Sequence, residues 1–151
     1  MKRLAAAFVL CLAWSGSLQA QIVVHQPWVR STVPGQTVAG AFMRISSAGP
    51  AALVGVSSPA AKRAEIHATT MDKEIARMRP VARMELPAGK TVELKPGGHH
   101  VMLVGILKPL AKGDTVPLSL SFERPGRPLQ IIEVNAEVRD VMAGGGAHGT
   151  Q

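Results

Sequence analysis

The chain has 151 residues and a formal net charge of +7, from 17 Lys and Arg against 10 Asp and Glu. That length is room for one domain and too little for a multidomain enzyme. A single Cys excludes a disulfide-stapled scaffold, and 3% aromatics leave little to stack on nucleic-acid bases.

The first twenty residues read as a separate unit. Met1-Lys2-Arg3 is a short basic stretch, Leu4 to Trp14 is almost unbroken apolar, and Ser15 to Ala20 is small and polar, ending Leu18-Gln19-Ala20. This is the anatomy of a secretory signal peptide over residues 1–20, with cleavage expected after Ala20 and a periplasmic destination. The apolar run is too short to cross about 30 Å of hydrocarbon, so no transmembrane segment is expected after cleavage. A bulky Leu10 before Cys11 argues against lipid attachment at that cysteine. Cleavage removes Lys2, Arg3 and Cys11, which leaves +5 and no thiol. A Cys nucleophile, thiol redox chemistry and a zinc–thiolate site are thereby excluded, and the fold rests on its core alone. The remaining positive residues are scattered, as on a solvated basic surface or a docking face for an acidic partner, and nucleic acid is not expected.

Between Gln21 and Asp140, turn signals recur at short intervals: Pro34-Gly35, Gly49-Pro50, Pro87-Ala88-Gly89, Pro96-Gly97-Gly98, Gly113-Asp114 and Pro125-Gly126. The apolar period between them is two. Ala41, Met43 and Ile45 alternate with Phe42 and Arg44, and Val92 and Leu94 with Thr91 and Glu93. Later, Val116, Leu118, Leu120 and Phe122 alternate with Pro117, Ser119 and Ser121, and Ile132, Val134, Ala136 and Val138 with Glu133, Asn135 and Glu137. Such runs are half-buried strands, and many short strands joined by tight turns make an all-β, antiparallel β-sandwich as a single domain over 21–140. Only Pro59 to Glu65 has the composition for a helical turn or two, and Ala68 to Arg77 reads as a rim loop. Residues 141–151, rich in Gly, read as a flexible tail.

The catalytic signals are thin. The acids mostly alternate with apolar residues on strands, where solvent-facing charges belong, and only Glu65 lies near a histidine, two positions from His67. No enzymatic activity is expected. Histidine and methionine are more informative. Met43 and Met84 sit among apolar strand residues and read as core. In His100-Val101-Met102, an imidazole and a thioether two apart project from one face of a strand while Val101 and Leu103 face the core. His67 and Met78 bracket the segment 68–77. Two imidazoles and two thioethers form a soft, neutral donor set that suits Cu(I) over Zn(II) or Mg(II) without thiolates. The bland alternatives stand beside it: Met78 lies between Arg77 and Arg79, so alternation could turn it inward, and His100 alone could be an ordinary surface histidine.

The spacing His67, ten residues, Met78, twenty-one residues, His100-Val101-Met102 resembles the His-x10-Met-x21-His-x-Met pattern of the periplasmic PCuAC copper chaperones. Pro27-Trp28-Val29-Arg30, Ala64-Glu65-Ile66-His67, Met78-Arg79-Pro80-Val81, Lys95-Pro96-Gly97-Gly98 and Leu118-Ser119-Leu120-Ser121-Phe122-Glu123 resemble segments of the same family, in order. The resemblance implies a cupredoxin-like, Greek-key β-sandwich that binds one Cu(I) through His67, Met78, His100 and Met102 at an exposed site. It also implies delivery to the CuA centre of cytochrome oxidase subunit II, alongside a Sco-type thiol protein, by a monomeric carrier. A copper buffer without a specific acceptor and a metal-free interaction module are the competing readings. His99 departs from the family pattern, Met71 flanks the proposed ligands, and Met142 and His148 in the tail are further candidate donors.

Overall fold

The computed structural model describes residues 21–140. The expected signal peptide (1–20) and Gly-rich tail (141–151) lie outside the described residues. Ten strands follow one another: β1 (Ile22–Arg30), β2 (Val38–Ser47), β3 (Ala51–Ser57), β4 (Ala61–Asp72), β5 (Ile75–Pro80), β6 (Met84–Leu86), β7 (Thr91–Leu94), β8 (His100–Ile106), β9 (Thr115–Glu123) and β10 (Gln130–Arg139). Their hydrogen-bonded path runs β5-β4-β8-β2-β1-β10-β9-β3-β6. The edge of β2 away from β1 is shared, by β8 over Val38–Ala41 and by β7 over Met43–Ser46.

The alternation read from the sequence is what folds this path over. The inner row of β9, Val116, Leu118, Leu120 and Phe122, is almost fully buried, and so are Ala136 and Val138 of β10. They share one apolar cluster with Ala41, Met43 and Ile45 of β2, Leu53 of β3, Ile66 of β4 and Val101 and Leu103 of β8. Strands from both ends of the path thus face one another across a single core, as in a cupredoxin-like sandwich. Each large side chain buried there contributes about 1.5–3 kcal/mol against exposure, which lets the domain dispense with covalent staples. The core readings of Met43 and Met84 hold, at 2% and 5% exposure.

Four local expectations are corrected. Pro59 to Glu65 forms no helical turn. After a tight turn closed by Ala61 N–H on the Ser58 carbonyl, β4 begins at once and pairs with β8 from Ala61 opposite Ile106. Helix-favouring composition yields here to the pairing and burial of Ile66. The segment 68–77 is no loop but a hairpin, β4 to β5, turned at Lys73 and Glu74, whose φ angles of 47° and 69° are the left-handed pair that a two-residue hairpin turn requires. Pairing is not antiparallel throughout, since β1 runs parallel to β10, with Val29 opposite Val138. Phe42, expected on the solvent side of β2, is buried on that outer face.

Candidate metal centre

The outer face that buries Phe42 also carries the four candidate donors. β4 and β8 pair with His67 directly opposite His100 and Glu65 opposite Met102. β5 pairs with β4 so that Met78 stands opposite Thr69. With side chains alternating along each strand, Glu65, His67, Thr69 and Met71 of β4 share a face with His100 and Met102 of β8 and with Ala76 and Met78 of β5. The other face of β4 and β8 sends Ile66, Val101 and Leu103 into the core. His67 and His100 therefore form a cross-strand pair, with ring centroids 5.6 Å apart. The two methionines occupy diagonal positions, one on either side of His67, within reach of long side chains. Met78, Met102 and His100 line a hollow of about 310 Å³, together with Phe42, Thr69 and Ala76. His67 is not part of that lining and lies beside it, 14% exposed at its side chain.

The tautomers follow from the partners. His100 Nδ1 lies 2.9 Å from the Gly98 carbonyl, which can only accept, so Nδ1 carries the proton and Nε2 the lone pair. His67 is fixed the opposite way round. Its Nε2 donates to Glu65 Oε2 at 2.9 Å, which leaves the lone pair on Nδ1. That Nδ1 is buried and has no hydrogen-bond partner. A buried acceptor left unpaired costs about 1–3 kcal/mol, a cost that a bound metal ion removes. The donor set fits a soft monovalent ion: two neutral imidazole nitrogens and two thioether sulfurs, with no carboxylate among them. Among the described residues no group of three or more His, Cys, Asp or Glu is placed to hold a metal, so a hard-ion or thiolate site has no counterpart here.

The surroundings organise the two rings. Glu65 accepts from His67 through one oxygen, and Arg63 Nη2 lies 3.7 Å from the other. The hydrogen bond from His67 is the main reason the Glu65 carboxyl stays below its ordinary value; desolvation opposes it in part, and the nearby Arg63 charge adds a smaller lowering. On the far side, the Phe42 ring stands 6.2 Å from His100 and 4.4 Å from Trp28, forming an aromatic wall. That ring folds back over Gly40, where an added Cβ would lie 2.7 Å from its Cζ. Exposure is uneven across the centre: His100 is 6% exposed and Met78 58%. The centre reaches solvent mainly through the hairpin.

All four sequence-predicted donors thus share one face of adjacent strands, and the other candidates fall apart from them. His99 precedes β8, its side chain exposed, and its carbonyl accepts from Lys95 N–H. Met71 lies farther along the same face of β4, exposed near the hairpin tip. His25 is on β1 and contacts Ser46. Met142 and His148 lie outside the described residues. Sequence reasoning passed over Phe42, Gly40 and the Gly98 carbonyl, and it noted Glu65 without giving it a role. The Glu65-x-His67 spacing, two residues on one strand, was the signal that could have paired them.

The chain is similar to known proteins along most of its described length. The profile of the family described as LpqE-like matches residues 22–138. Lxx21020 of Leifsonia xyli subsp. xyli (strain CTCB07), which carries a lipoprotein name, is 32% identical over 102 residues, 67% of this chain. The match spans 61% of that relative, so the chain covers about three fifths of its length. Among solved structures, the copper-bound PCuAC domain from PmoF2 is similar at a TM-score of 0.64 and 27% identity, covering 82% of this chain and 97% of that one. Cu(I)-bound DR1885 from Deinococcus radiodurans gives a TM-score of 0.64 at 29% identity, over 86% of this chain and 87% of that one.

Proposed function

Because the chain belongs to the LpqE-like family, and its solved relatives are PCuAC domains with copper bound in two of them, we propose that it is a copper(I) carrier. In this reading one Cu(I) is the cargo, taken by His67, Met78, His100 and Met102. The observation that carries it is the partnerless, buried Nδ1 of His67 beside a His100 ring whose own Nδ1 is already committed to Gly98. Two nitrogens are thereby left with free lone pairs on one sheet face, flanked by two thioethers.

Release follows from the same chemistry. The donors are neutral, so an acceptor that offers thiolates binds Cu(I) more strongly, and the ion moves downhill without a change of oxidation state as protons leave the acceptor thiols. The CuA centre of cytochrome oxidase subunit II is such an acceptor, and a Sco-type thiol protein works alongside. The protein acts as a monomer in the periplasm, exported by residues 1–20. The lipoprotein name of its relative bears on those proteins, and Cys11 here lies outside the described residues. Residues 62–83 carry six Lys or Arg against three Asp or Glu, which steers encounter towards an acidic acceptor surface.

The test is an anaerobic Cu(I) titration against a chromophoric chelator, followed by mixing the loaded protein with a reduced, copper-free CuA domain. One tightly bound Cu(I), with transfer to the CuA domain, is expected. Failure to bind Cu(I) sinks the carrier reading. Binding without transfer, with deletion lowering only tolerance of excess copper, selects a copper buffer instead.

A further inference from the structure

Each histidine of the centre is anchored through one ring nitrogen, and the two anchors differ in kind. His100 leans on a neutral backbone carbonyl. His67 leans on a carboxylate, which is itself set by a cation on the same strand face, Arg63. A rigid carbonyl belongs to the fold whatever the side chains are. The Glu65 carboxylate belongs to a side chain a third exposed, and it contacts Arg63 and His67.

We propose that Glu65 is a positioning residue for copper: by accepting the Nε2 proton of His67 it selects the ring tautomer whose buried Nδ1 is the donor to the metal. The inference rests on the copper reading above and extends it to a residue that provides no ligand atom. Without Glu65, the proton of a neutral imidazole is free to sit on either nitrogen, and Nε2 competes as the lone-pair site. The ring then has no fixed orientation towards His100. With Glu65 in place, a carboxylate–imidazole–metal line forms, in which the carboxylate raises the basicity of the donor nitrogen and supplies a negative charge beside an otherwise neutral set of ligands. Arg63 Nη2, 3.7 Å from the second carboxylate oxygen, places a positive charge beside the carboxylate that reaches His67.

The experiment separates the ring from the metal. In copper-free protein, long-range ¹H–¹⁵N correlation spectra report which nitrogen of His67 carries the proton. The parent protein is expected to show the Nε2-protonated form, Glu65→Gln to keep it through its amide oxygen, and Glu65→Ala to lose it to a mixture. Cu(I) affinity, read by chelator competition, is expected to fall about 10- to 100-fold in Glu65→Ala and by less in Glu65→Gln. His100→Ala serves as the control that removes a ligand outright. A His67 tautomer that does not respond to Glu65→Ala overturns the proposal. So does an affinity that is unchanged or rises, since a rise means that Nε2 is the true donor and Glu65 competes with copper for it. If the parent protein binds no Cu(I), the copper reading falls, whereas the tautomer spectra still decide whether Glu65 sets the ring.

Discussion

Replacing Gly40 by Ala tests the aromatic wall directly. Gly40 and Phe42 lie on one face of β2, and the Phe42 ring folds back over the glycine. A Cβ at position 40 would meet Cζ at 2.7 Å and Cε2 at 3.1 Å, where carbon atoms ordinarily rest about 3.5–4.0 Å apart. The ring has to withdraw by about 1 Å, and it has little room to do so. On one side Trp28 is already 4.4 Å away between centroids, and on the other stands His100 at 6.2 Å. Overpacking of this kind costs about 1–3 kcal/mol, and the easier escape is towards His100 and the hollow that Met102 and Met78 line. Gly40→Ala is therefore expected to lower the unfolding free energy by about 1–3 kcal/mol and to weaken Cu(I) binding without touching a ligand. Urea unfolding measures the first, and Trp28, the one tryptophan after residue 20, reports the ring shift through its fluorescence. In a Phe42→Leu background the same substitution should cost less, because the shorter side chain no longer reaches over position 40. A loss under about 0.3 kcal/mol, or strict additivity of the two changes, refutes the steric account.

The methionines should divide cleanly. Met43→Ala and Met84→Ala remove buried core side chains and should cost about 2–5 kcal/mol of stability with little direct effect on copper, whereas Met78→Ala, at an exposed position, should weaken Cu(I) binding with little loss of stability; equal copper losses at all of them would dismiss the ligand set. Imidazole binds metal only through a deprotonated nitrogen, so Cu(I) affinity should fall steadily as the solution is acidified from about pH 8 to about pH 5, and a flat profile excludes the histidines as donors. Folding depresses the Glu65 carboxyl below its ordinary range, chiefly through His67, so its stabilising contribution is complete above the ordinary carboxylate value and is lost as the pH falls through the depressed one. Glu65→Gln should flatten that acid limb in denaturation curves collected across pH, and an unaltered limb contradicts the assignment. The rate of copper transfer to an acidic acceptor should fall as salt rises, measured by stopped flow; a salt-independent rate places the steering charge elsewhere.

Where one face of a strand meets the core, the sequence was readable. Val116 to Phe122 alternates because its inner row is buried and its outer row is not, and the structure places the strand there. His100 and Met102 were readable as a pair for a related reason, since residues two apart on a strand share a face whatever the tertiary fold, whereas His67 and Met78 joined them only through a spacing that resembles the PCuAC pattern. What failed were cases where distant pairing overrides local preference. Of the helix candidate Pro59 to Glu65, Ala61 to Glu65 is drawn into β4 by β8, some forty residues later in the chain. The hairpin turn at Lys73-Glu74 lacks the Asn-Gly or Asp-Gly signature that announces such turns. Phe42 obeys the alternation of β2, but its outward side is covered by Trp28 and His100 from neighbouring strands, which no local pattern reveals. Glu65 was visible as the sole acid near a histidine, and only the rotamers make it an anchor.

The parallel pairing of β1 with β10 sets a condition on how the chain can be built. The first strand of the domain finds one of its two neighbours in the last, so the centre of the sheet stays incomplete until nearly the whole sequence is available. Contacts this remote in sequence form late and slow folding. A chain that ends before β10 leaves the edges of β1 and β9 bare together, with Leu118, Leu120 and Phe122 beside them, a surface suited to pairing with other chains. A C-terminal truncation that removes β10 should therefore yield aggregate rather than a smaller soluble domain.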